Sequence, residues 1–322
     1  GIENLSIAGS ASFTEQRARM DDANITINEH NGIGALELMT RETGERILTA
    51  TAAFDAVDLG KLAGPSWREL NRPFDPAGGV RKSMTGLNAD IRISASMANV
   101  GALQLDNFAG AVSVRDEAIS IDIGDASLAG GTLQLRYKDD ATLSKDPVSL
   151  SVKGTDIDTS ALPSEVSLGP LIPRGPISFT ADLNGPSRVI RRALRSATGT
   201  ISVSGQQGRL PGISVSDVLD TNDATQFFAL AAEGGDGDIF DTFEADLTLA
   251  DGAYRPEQIK VTYPSATLNV NGVISATNGS VAMTAILQEV EDGMIPPPPV
   301  FIGGTLLQPF ATFILAPPDR IQ

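Results

Sequence analysis

Apolar residues recur at every second position along much of this chain. In residues 5–13 they fall at Leu5, Ile7, Ala11 and Phe13, with a slip at Gly9-Ser10, which predicts a half-buried strand carrying a bulge. Residues 23–27, 35–38 and 47–52 continue the alternation, and Asn31-Gly32 and Glu42-Thr43-Gly44 between them read as hairpin turns. Residues 91–97, 111–114, 119–123, 133–137 and 148–152 predict further strands separated by Asp, Gly and Lys turns. No stretch reads as a parallel αβ repeat.

Two parts of this series resemble one another. GALELM through FDAVDLGKL and GTLQLRY through KGTDIDTSAL share a strand, a polar turn and a second strand, then Val57-Asp58 or Ile157-Asp158 ahead of Leu62 or Leu162. Self-similarity of this kind predicts β units stacked edge to edge, each completing its neighbour's sheet. Between the copies, residues 65–79 break the pattern, and Ser66-Trp67-Arg68-Glu69 has the form of a capping box for a short helix. Trp67, the single tryptophan, is expected to plug the open end of a core. Pro and Gly gather in residues 163–176 and mark a seam. The expected organisation is therefore a β unit over residues 1–64, a linker with a short helix over 65–86, a second β unit over 87–162 and a C-terminal β region over 163–322, together forming one continuous sheet.

The C-terminal region is built from three phrases. FTADLNGPSRVIRRALRSATGTISVSGQQGRLPG places a helix over residues 187–197 between two alternating strands, with Ser187 as N-cap and Val189, Ile190, Ala193, Leu194 and Ala197 at helical spacing. TFEADLTLADGAYRPEQIKVTYPSATLNVNGVIS carries three alternating runs punctuated by Asp251-Gly252, Pro264 and Asn271-Gly272. PVFIGGTLLQPFATF sets a Gly-Gly-Thr before a strand interrupted by Pro309. A second helix is expected over residues 223–232, where Asn222 or Asp223 caps and Gly234-Gly235 stops an apolar stretch containing Phe227, Phe228 and Leu230.

Composition narrows the chemistry. Lys and Arg number 24 against 40 Asp and Glu, and the resulting net charge of −16 argues against nucleic acid as a partner. With no cysteine there is neither a disulfide framework nor thiol chemistry. The single histidine, His30, lies in a polar turn without the partners of a zinc site or a Ser-His-Asp triad. Gly32-Ile33-Gly34 lacks the third glycine and following helix of a dinucleotide fingerprint and reads as a turn. Acidic groups cluster at Asp116, Glu117, Asp122 and Asp125, and at Asp236, Asp238 and Asp241; such clusters suit a glycosidase pair or calcium, but neither has EF-hand spacing, and both read as acidic turns. No catalytic residue, metal or cofactor is expected. On the helix at 187–197, Arg188, Arg191, Arg192 and Arg195 form a basic face suited to phosphate headgroups, or to a solvated surface balancing nearby carboxylates.

The ordered set of phrases resembles the C-terminal region of the AsmA family of bacterial envelope proteins, within the broad superfamily that includes TamB. The likeness rests on the helix ahead of Gly199-Thr200, the glycine turn from Gly208 to Gly212 and the terminal run from Val300 to Pro309. Upstream it includes Trp67, Pro73-Phe74, residues 87–91 and the Leu128-to-Thr132 turn, so that it covers roughly residues 67–318. The resemblance implies a periplasmic protein held to the inner membrane by an N-terminal helix that this chain leaves out. It also implies a role in sheltering phospholipids, or other diacyl lipids, between two membranes during outer-membrane biogenesis, with envelope proteins as possible partners.

Pattern and likeness together predict a mainly β, elongated, twisted and largely antiparallel sheet, curled like a taco into a hydrophobic groove with a few short capping helices. An alternating sheet has one apolar face, and with few helices to cover it the sheet folds over on itself. Candidate groove-lining residues are Phe179, Ile201, Val203, Phe243, Leu247, Leu249, Val261, Leu268, Val270 and Met283. The alternative is a non-catalytic structural or protein-binding β scaffold whose interior is filled by its own side chains. A carbohydrate-active β protein using the acidic turns is a third reading.

Overall fold

The computed structural model describes residues 3–63, 87–115, 118–140, 142–143, 147–166, 168–186, 195–215, 227–230, 237–288 and 296–314. The fold is mainly β and largely antiparallel. The chain divides into two compact units, Gly1–Gly154 with Asp182–Leu194, and Thr155–Ala181 with Arg195–Gln322.

In the first unit, strands β1 (Leu5–Phe13), β2 (Arg17–Ile27), β3 (His30–Thr40) and β4 (Arg46–Asp58) form an antiparallel meander. A second meander contains β5 (Leu87–Val100), β6 (Leu103–Arg115), β7 (Ala118–Leu128) and β8 (Gly131–Asp140). The two are joined where β4 and β5 run parallel, from Arg46 opposite Leu87 to Asp58 opposite Asn99. The expected bulge is displaced: Ala8 and Ser10 stand opposite Asn24 and Asp21, so the extra residue lies on β2, where Asp22 takes a φ of 50°. β1 itself runs regularly and is exposed throughout where a half-buried strand was expected. Ala129 and Gly130, with φ of 47° and 83°, make the tight β7–β8 turn, whose twist matches that of its strands.

The internal likeness has a structural counterpart. GALELM lies in β3, and the second copy's GTLQLRY opens β8. β4 ends at Asp58, whose Oδ1 accepts a 2.8 Å bond from Lys61 N at the short helix α1 (Leu59–Ala63). β9 (Val148–Asp158) ends at Asp158, whose Oδ1 accepts a 2.9 Å bond from Ser160 N of a 3-10 turn, Thr159–Ala161. In both copies an aspartate occupies the cap position and turns an extended chain into a helical one.

In the second unit, the end of β9 is bonded to the start of β10 (Pro176–Gly185), with Asp156 N on Ser178 Oγ at 3.0 Å and Thr159 N on Gly175 O at 3.0 Å. β11 (Thr198–Arg209) pairs with β13 (Ile239–Ala250), followed by β14 (Ala253–Thr262), β15 (Thr267–Ser275), β16 (Val281–Gln288), β17 (Val300–Gly304) and β18 (Pro309–Phe313), all antiparallel.

Three local expectations are corrected. Phe227–Ala229 is a strand, β12, paired with β18, and not part of a helix over 223–232. An aromatic pair has high strand propensity, and the backbone bonds offered by the edge of β18 outweigh a weak helical preference. Asn31-Gly32 lies within β3, the turn falling three residues earlier at Asn28, whose φ is 55°. Asn271-Gly272 lies within β15, opposite Thr284 and Met283 of β16, so it is not a turn. The capping box at 66–69 with Trp67, and most of the helix at 187–197, fall outside the described residues.

Candidate functional site

Paired residues in a ladder share one face, so the registers show which side chains stand together. In the second unit, Ile201 faces Leu247, Val203 faces Ala245, and Leu249 stands opposite Gly199. Phe243 faces Val261, Val261 faces Leu268, and Leu268 faces Leu287. Val270 is opposite Ala285, and Met283 lies between Gly272 and Ile302. Nine of the ten predicted lining residues thus occupy one face of one sheet: Ile201, Val203, Phe243, Leu247, Leu249, Val261, Leu268, Val270 and Met283. The tenth, Phe179, is half-buried on β10, two residues beyond Ile177, whose Cγ2 lies 3.2 Å from where a Gly205 Cβ would stand.

Most of this face is covered, while Ile201, Val203 and Leu247 stay half-buried. Phe243, Leu249, Val261, Leu268, Val270 and Met283 are 1% to 7% exposed. All but Leu249 belong to one cluster with Leu210, Val215, Phe240, Val281, Leu287 and Ile302, against which Leu171, Ile213, Leu230 and Leu306 pack from segments between strands. The two loops that bring Leu171 and Ile213 are bonded to each other, Gly212 N donating to Pro170 O at 3.0 Å. Gly208 is required at the base of this cover, because a Cβ there would stand 2.5 Å from both Arg174 O and Phe240 Cζ. Tyr263 is buried in the same cluster, and its hydroxyl has no hydrogen-bond partner among the described residues. Burial, with a smaller contribution from the Asp238 charge, pushes that hydroxyl well above the ordinary phenol pKa.

The first unit carries a different face. One row runs Met20, Leu36, Ala50, Ile91, Val112, Ile121 and Tyr137, each opposite the next across β2 to β8. A neighbouring row runs Ala18, Leu38, Leu48, Ala89, Val114 and Ile119, and another runs Ala23, Gly34, Ala52, Ile93, Gly110, Ile123 and Leu135. Ala89, Val114 and Ile119 form a small buried cluster. Leu36, Leu48, Ile91, Ile93, Val112, Ile121 and Ile123 stay half-buried, and Leu38 is exposed. Although each strand was legible, these residues were not singled out as site candidates. The register that gathers them is set partly by a parallel pairing that alternation does not reveal.

A cavity of about 790 Å³ opens chiefly on the opposite face of the same strands, lined by Ile33, Ala53, Arg92, Ser94, Ala111 and Asp122 among others. Asp122 is hydrogen-bonded by Arg136 Nε at 2.6 Å and Ser120 Oγ at 2.7 Å, and these two contacts hold its carboxyl below the usual carboxylate range. The charge of this lining carboxylate is thus engaged by Arg136, which stands outside the lining. Asp125 stands opposite Ala109 in the β6–β7 ladder, and Asp241 is exposed on β13. Among the described residues no three His, Cys, Asp or Glu side chains converge as a metal site. Arg195 is exposed, while Arg188, Arg191, Arg192, Asp116, Glu117 and Asp236 lie outside the described residues.

No family model matches the chain, and no match is found among the curated proteins or the solved structures.

Proposed function

We propose that this chain shelters the acyl chains of a phospholipid, or another diacyl lipid, against the aliphatic face of its first unit. On this reading it is the periplasmic part of an AsmA-like protein, anchored in the inner membrane, that carries lipid between membranes and supports outer-membrane biogenesis without enzymatic chemistry. The carrying observation is the set of aligned rows through Leu36, Leu48, Ile91, Ile93, Val112 and Ile121, which leave large aliphatic side chains half-buried across β3 to β7. Each methylene taken from water into apolar surroundings gains about 0.8 kcal/mol, so a lipid with roughly thirty of them meets a barrier of order 20 kcal/mol to crossing water unsheltered. An aliphatic surface wide enough for the tails removes most of that barrier.

The largely covered face of the second unit favours a second reading, in which the chain is a structural or protein-binding scaffold of the envelope. Native mass spectrometry of protein purified from cells separates the two. Sheltering gives co-purifying phospholipid that is lost in Ile91→Asn/Val112→Asn, with the far-ultraviolet circular dichroism unchanged. A chain that arrives lipid-free and takes up no fluorescent phospholipid from vesicles would leave the scaffold reading standing.

A further inference from the structure

β1 is an edge. Among the described residues it pairs only with β2, and all nine of its residues are exposed. Natural edges are commonly blunted by charge or proline, because a row of free backbone groups is a template for another strand. β1 has neither: LSIAGSASF is uncharged in a chain of net charge −16. It also carries exposed apolar bulk on one face, with Leu5 58%, Ile7 39% and Phe13 75% exposed.

Two bonds bracket the strand and set which groups point outward. Asn28 N donates to Asn4 O at 2.8 Å, and Thr14 N donates to Arg17 O at 2.8 Å. In an antiparallel ladder this assigns the even-numbered residues of β1 to bonding with β2. The N–H and C=O groups of Leu5, Ile7, Ala11 and Phe13 are then turned to the open edge.

The order of residues makes this edge complementary to itself. Turned end for end about Gly9, Leu5 comes opposite Phe13, Ser6 opposite Ser12, Ile7 opposite Ala11 and Ala8 opposite Ser10. Large apolar groups meet apolar groups on one face, and small residues meet small ones on the other. We propose that β1 pairs antiparallel with β1 of a second copy of this chain, about a two-fold axis at Gly9. The contact is isologous, as a two-fold dimer requires, and adding a strand satisfies the free backbone groups while covering Leu5, Ile7 and Phe13. It is independent of acyl sheltering, since its readout is association and not lipid content.

The chain has no cysteine, so single introduced thiols report the register without background. Ser6 and Ser12 of the two copies would form a pair without mutual hydrogen bonds, with Cα atoms about 4.5 Å apart, inside the ~4.4–6.8 Å range for a disulfide. Ser6 of one copy lies six steps from Ser6 of the other, roughly 20 Å at ~3.3 Å per residue. The expected result is that a mixture of Ser6→Cys and Ser12→Cys chains, gently oxidised, gives at least tenfold more disulfide-linked dimer than either alone. Sedimentation velocity should show a concentration-dependent dimer of the unaltered chain, reduced to monomer by Ile7→Lys, whose partly exposed site tolerates a lysine in the folded monomer. The proposal is overturned if the unaltered chain stays monomeric at every concentration, which is also the outcome if this edge serves a strand of another protein. It is equally overturned if the thiol chains cross-link as well alone as mixed, or if dimers persist in Ile7→Lys.

Discussion

Leu249 and Leu48 place the same side chain in two settings. Leu249 is 1% exposed, whereas Leu48 stands half-buried in a row of aliphatic neighbours. Truncation to alanine removes the same atoms from each, but only the enclosed site loses full burial and is left with a cavity. Leu249→Ala is expected to cost about 2–5 kcal/mol, and Leu48→Ala less than half as much, measured as urea midpoints at constant slope. Tyr263 gives a pH dependence of known sign. The folded chain holds the phenol proton more tightly than the unfolded chain, which titrates near the ordinary value of 10.0. Above that pH the unfolded state binds fewer protons, so stability falls as pH rises, by up to about 1.4 kcal/mol per unit from this group. Tyr263→Phe should remove that part of the slope between pH 9 and pH 11. Because the lost hydroxyl has no described partner, it should cost little at pH 7.

Among the elements, β15 shows where a turn signal misleads. Gly272 sits mid-strand with a φ of 146°, and a Cβ there would meet Ala282 O and stand 2.5 Å from Met283 Cα. Gly272→Ala should therefore destabilise the second unit by about 1–3 kcal/mol, whereas Gly279→Ala in the following turn, also at positive φ but with nothing nearby, costs only its backbone strain. Thermal melts of the two variants should differ accordingly. The glycine is needed for close approach between strands, a requirement that Asn-Gly in a sequence does not distinguish from a hairpin. Strand existence was legible because alternation is a local property, and it correctly placed the span of β1 and the cores of β2 to β9, whereas the bulge fell on β2 and not β1, and β1 is exposed where half-burial was expected. The turns at 42–44 and 251–252 were legible for the same reason. Faces were partly legible, since nine lining candidates do share one surface. Whether a face is covered depends on Leu171, Leu210 and Ile213, which reach it from loops without periodicity. β12 was missed because three residues carry too little pattern to oppose a helical reading.

At the scale of the whole chain, the net charge of −16 bears on how lipid would be taken up. Like charges repel over a distance of about 10 Å at 0.1 M salt. Uptake from vesicles rich in anionic lipid should be slower than from zwitterionic ones at low ionic strength, and the gap should close as salt is added, followed by fluorescence dequenching. The parallel join of β4 to β5 has a consequence for the order of assembly. Every other contact between adjacent strands from β1 to β8 is made by a hairpin and can form as soon as its two arms exist, but this one requires chain ends separated by a long connection to find each other. The two meanders should gain structure first and wait for their union, which makes that union the slow step in refolding of the first unit. Ile93→Val, opposite Ala52 at the seam, should then slow refolding, while Leu133→Ala in the β7–β8 hairpin should chiefly alter pre-equilibrium structure and leave the joining step itself nearly unchanged in stopped-flow traces.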